Sequence, residues 1–135
     1  MKLAPPRIAR NVAFVVGGIL CGIGILHAVV NIRWLLRVAA RGDVAERLVP
    51  QLAVNIAFAG IAIALPGCLM MLVAPDLARG KRLAARLAFA SGLYFVVAGI
   101  AGYMWQPIPS VLVFSVLGVL MCGPLLVWRS EFQAP

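Results

Sequence analysis

His27 is the one histidine in the chain, and a small set of polar residues falls near the same depth in the apolar sequence around it. Asn31 lies one helical turn beyond it, Asn55 follows in the next apolar run, and Tyr103 and Gln106 close the third. Imidazole, phenol and carboxamide groups donate and accept hydrogen bonds, so five of them meeting in one pocket would hold the head of a quinone, a lipid or another amphipathic molecule. The same groups would also serve as hydrogen bonds between helices, worth about 0.6 to 2 kcal/mol per contact in a membrane. Both readings stand at this stage.

Other chemistry finds less support. No nucleophile–base pair or carboxylate pair stands out, so no catalytic residue is assigned and the chain is read as leaning away from catalysis. No cofactor is evident. Haem on His27 would need a second axial ligand, which with one histidine per chain must come from another chain. Cys21, Cys68 and Cys122 fall in three different apolar segments without a CxxC pair, and no metal site is expected.

The elements that must carry these residues follow from charge. Residues 11–32 and 48–75 contain no charged side chain, and neither do the 42 residues between Arg86 and Arg129. As one helix that last run would extend about 63 Å, twice the roughly 30 Å of hydrocarbon in a bilayer. It must turn back once, and Gln106-Pro107-Ile108-Pro109-Ser110 is the place, because proline removes a backbone donor and moves its predecessor out of the helical region. The expected fold is therefore an all-α membrane protein, a four-transmembrane-helix bundle in one domain over 1–135. Its approximate spans are 8–31, 50–73, 83–104 and 108–128.

A composition of 64% hydrophobic and 12% charged residues supports this class, since soluble domains carry about a quarter charged residues. The net charge of +8 could suggest nucleic acid, but the positions of the cations argue for topology instead. Lys2, Arg7, Arg10, Arg79, Lys81, Arg82, Arg86 and Arg129 all fall on one side if four helices alternate. The positive-inside rule makes that side cytoplasmic, with both termini, and the cell's inner (plasma) membrane is the expected location. Lipids are then the first partners expected and nucleic acid is not one. The first run, preceded by Lys2, Arg7 and Arg10, is read as a retained signal anchor.

Between the first two spans, Arg33, Arg37 and Arg41 recur every four residues and predict an amphipathic segment with one basic stripe. That stripe suits lipid phosphates or an acidic partner. Gly42 is expected to end it, and Asp43 with Glu46 has the spacing of a capping box. Small residues supply close helix contacts in lipid, and Gly18 and Gly22 make a GxxxG pair, with Gly24 on a second small strip. Pro66 and Pro124 are expected kinks in the second and fourth helices. A weak repeat lays 7–25 on 82–100 and places Gly60 and Pro66 over Gly118 and Pro124, which would make two equivalent hairpins.

The apolar cores of the spans carry no Asp, Glu, Lys or Arg, which disfavours ion-coupled transport. The function expected first is non-catalytic: an accessory or assembly subunit working through helix and lipid contacts, with other membrane subunits or copies of itself as partners. Second is a binding protein or enzyme for an amphipathic ligand at the His27 cluster. Third is an oligomeric transporter of a neutral or lipid-like substrate.

Overall fold

The computed structural model describes residues 5–132, which are built from helices and the turns between them. Four long helices follow in order: α1 (Pro5–Ala40), α2 (Val49–Ala78), α3 (Arg82–Trp105) and α4 (Leu112–Val127). Short 3-10 turns at Glu46–Leu48 and Pro109–Val111 lead into α2 and α4, and a third at Arg129–Glu131 follows α4. All four are long and apolar enough to cross a membrane, α4 counted with its leading turn. At most 39% of the most apolar window of any span is buried, so most of their apolar surface faces outward. Water would penalise that surface heavily, whereas lipid solvates it.

The helix ends differ from the expectation mainly in α1 and α2. α1 runs on unbroken for nine residues beyond Asn31, and the basic segment is its continuation and not a separate helix. The reason is local. Nothing between 31 and 41 stops a helix, because arginine and leucine are good helix formers and a change of polarity leaves backbone hydrogen bonding untouched. At about 1.5 Å per residue α1 is some 54 Å long and α2 some 45 Å, against about 36 Å for α3.

Helices α1 and α2 both close on a glycine in the left-handed region. Gly42 has φ 79° and Gly80 φ 73°. At each, paired bonds close the helix: Gly42 N donates to Ala39 O and Asp43 N to Val38 O, while Gly80 N donates to Leu77 O and Lys81 N to Asp76 O. This 6→1 and 5→2 pattern is the Schellman motif, and it requires a residue free of a Cβ penalty at the turn. The capping box is not formed: Ala45 precedes the Glu46–Leu48 turn, with no side-chain cap bond.

The chain packs as two compact units, 19–67 and 5–18 with 68–132. In the first, α1 and α2 run antiparallel through a backbone contact. A Cβ on Gly24 would stand 2.6 Å from Ala64 N, and one on Gly60 would stand 2.7 Å from Gly24 O and 2.8 Å from the Ala28 Cβ. The contact therefore joins two small-xxx-small pairs, Gly24 with Ala28 and Gly60 with Ala64.

In the second unit α3 and α4 form an antiparallel hairpin around Trp105–Val111, where the prolines were expected to turn the chain. A Cβ on Gly92 would meet Cys122 Sγ at 2.8 Å and Gly118 O at 3.1 Å; one on Gly99 would overlap Ser115, and one on Gly102 would meet Val111 at 2.8 Å. Ser115 Oγ donates to Val96 O at 3.1 Å, and the Cys122 thiol to Phe89 O at 3.6 Å. Phe95 and Phe114 stack with ring centroids 6.0 Å apart. Phe95, Met70, Leu77 and Met121 are the largest fully buried side chains of this unit.

Candidate functional site

The polar group around His27 divides between the two units. His27, Asn31 and Asn55 belong to 19–67, whereas Tyr103 and Gln106 belong to the other. Asn31 Nδ2 donates to the carbonyl of His27 at 2.7 Å, one turn back along α1. The carboxamide is thus held by its own helix backbone and leaves the imidazole free. His27 is half-buried, Asn55 is exposed on α2, and no hydrogen bond between side chains joins these three among the described residues. Tyr103 and Gln106 are exposed at the end of α3, where Gln106 N closes the helix on Gly102 O.

The remaining expected residues are placed as follows. Arg33 and Arg37 are exposed on α1, and Arg41 is exposed in the turn that ends it. Gly18 and Gly22 are exposed, and their environment differs from that of Gly24: a Cβ on Gly22 would meet nothing within 4 Å, and one on Gly18 only Met71 Sδ at 3.9 Å. Successive residues turn by about 100°, so Gly22 and Gly24 lie on opposite faces of α1. α2 packs on Gly24 and its Met71 approaches Gly18, while Gly22 is open. Pro66 and Pro124 lie inside continuous helices, which carry on past both prolines. Among the described residues no three His, Cys, Asp or Glu side chains are gathered closely enough to hold a metal.

A concavity edged by several charged groups lies at the other end of the α3–α4 hairpin, and sequence reasoning did not single it out. A cavity of about 710 Å³ is lined by Arg82, Ala85, Arg86 and Phe89 on α3 and by Leu125, Leu126, Arg129, Ser130 and Phe132 at the end of α4. The α3 residues are spaced i, i+3, i+4 and i+7, which puts them on one face, and this spacing was the available signal. Leu125 and Phe132 are buried in its wall, while the three arginines are exposed. Of the acids near it, Asp76 is already paired with Arg79 at 3.0 Å and Lys81 at 3.2 Å, and Glu131 is exposed in the turn after α4. No ion pair involves Arg82, Arg86 or Arg129 among the described residues. The first turn of α3 contains no acid, and Lys81 before it makes no side-chain cap, so the positive end of the helix dipole adds to the arginines.

These features describe a multi-pass α-helical membrane protein. Searches against protein-family models, curated proteins and solved structures give no match, so no family assignment is made.

Proposed function

We propose that this chain is an accessory or assembly subunit of a complex in the inner membrane, acting without catalysis through its helix faces, with its basic end and both termini cytoplasmic. The observation that carries the reading is the open surface of α1 at Gly22, where a Cβ would meet nothing within 4 Å. Apolar surface gives no drive for helices to associate in lipid, so association depends on close backbone approach at small residues. On α1, α2 occupies Gly24 and approaches Gly18, while Gly22 is left uncovered. Gly22 is flanked by exposed Ile19, Ile25, Leu26 and Val29, side chains that would grip a partner helix lying on the glycine.

Purification in a gentle detergent followed by mass spectrometry tests this directly. The expected result is a foreign membrane subunit in fixed stoichiometry, lost when Gly22→Leu fills the face while thermal unfolding of the chain itself is unchanged. A monodisperse single chain, unaltered by Gly22→Leu, would rule the reading out.

A second reading, a binding protein for an amphipathic ligand, draws support from the half-buried His27 imidazole, which has no hydrogen-bond partner among the described residues. It expects His27→Leu to abolish ligand binding with unfolding unaffected; an absorption spectrum of the purified protein tests for a haem shared between two chains.

A further inference from the structure

We infer that the Arg82–Arg86–Arg129 groove is a binding site for an anionic phospholipid, with the phosphate held by the guanidinium groups and the first part of an acyl chain lying on Phe89, Leu125 and Leu126. The inference rests on the membrane reading of the four helices, but not on any partner subunit.

Three observations converge. The first is chemical: three guanidinium groups from two elements edge one cavity, and each can give a phosphate two parallel N–H bonds. The second is electrostatic. Asp76 pairs with Arg79 and Lys81, and the exposed Glu131 beside the groove pairs with none of its arginines, so three cations face one nearby acid within the described chain. Three unpaired cations converging beside an uncapped helix N-terminus repel one another, and an anion among them relieves that repulsion. The third is position. The groove is wet and basic at its rim and apolar in its wall, where the apolar spans of α3 and α4 meet their charged ends. A bilayer places phosphates at this level with acyl chains just inside, and basic pockets between spans on the positive side suit anionic headgroups.

The cavity volume falls within the usual range for small-molecule sites, large enough for a headgroup and several methylenes. A free phosphate would satisfy the arginines but leave the Phe89, Leu125 and Leu126 wall uncovered. Charge and wall together select a lipid.

The test uses the full chain in detergent and native mass spectrometry, titrated separately with phosphatidylglycerol, phosphatidylcholine and inorganic phosphate. Arg86→Gln with Arg129→Gln is compared with Arg7→Gln with Arg47→Gln, an equal charge loss at exposed residues outside the groove. Phosphatidylglycerol is expected to bind in preference to phosphatidylcholine, and each groove arginine removed should weaken it roughly fivefold. The Arg7 and Arg47 pair should change little. If both double variants lose affinity equally, the attraction is diffuse and the site is overturned. Equal binding of phosphatidylcholine, or full displacement by millimolar inorganic phosphate, would also overturn it, the latter in favour of a free-phosphate site. Should the double variant fail to fold, Arg129→Lys keeps the charge but loses the bidentate fork, and a measurable weakening is still required.

Discussion

The α1–α2 and α3–α4 hairpins solve the same problem differently. Where α1 meets α2, two small-xxx-small pairs face each other and backbone lies on backbone: Gly24 and Ala28 against Gly60 and Ala64. Where α3 meets α4, glycines again set the distance, but Ser115 and Cys122 donate across to carbonyls of α3 and the Phe95–Phe114 pair stacks. The registers differ too. Gly60 lies on Gly24 and Ala28, whereas Gly118, the residue aligned with it, lies on Gly92 and Val96. Gly92 aligns with Gly17, so the second contact is displaced by seven residues, two helical turns. The weak repeat therefore does not generate two equivalent hairpins. In lipid a pattern of small residues fixes how close two helices come, while directional bonds and ring contacts single out one register among several.

The strongest way to break this comparison is bulk at the tighter contact. Gly118→Leu should destroy the α3–α4 hairpin, because even its Cβ would overlap the Gly92 carbonyl and stand 2.8 Å from Val96 N. Detergent-denaturant unfolding followed by circular dichroism should show a loss above about 3 kcal/mol, beyond the usual overpacking range.

A smaller effect separates the two glycine turns. Gly80→Ala should cost about 2–3 kcal/mol and Gly42→Ala about 1–2 kcal/mol, both from a left-handed backbone. Only at Gly80 does the new Cβ also crowd the Glu131 carbonyl, at 2.9 Å; at Gly42 the space is open. Equal losses in unfolding would show that the Glu131 contact has no weight.

Ser115→Ala sharpens the role of directional bonds and should lower stability by about 0.6 to 1.7 kcal/mol in the same assay. No change would mean that packing alone holds the α3–α4 register. The smallest effect is expected at Gly22→Ala, which adds a methyl group to open space and should leave stability equal or raise it by up to about 1 kcal/mol. A clear loss there would show that the face is occupied within the chain.

Much of this fold is legible in the residues. Charge-free runs mark the spans, Gly42 ends the first helix, and Pro107 and Pro109 turn the last hairpin. The far end of α1 is not legible from hydropathy, because Arg33 and Arg37 change the solvent preference of a helix without interrupting it. Nor does the pattern distinguish Gly22 from Gly24, since lipid and a neighbouring helix are equally apolar surroundings. The groove was hidden for another reason. Arg82, Arg86 and Arg129 read as topology signals one at a time, and only the pairing of α3 with α4 brings them to one cavity.

The glycines at the helix contacts also bear on how such a sequence can drift. Every other residue is larger, so a replacement at Gly24, Gly60, Gly92 or Gly118 can only push two backbones apart, while Leu, Ile and Val on the outward faces can interchange with little effect. Over long divergence the outward faces would be rewritten first. The points by which distant cousins could still be aligned would be the positions with no side chain at all.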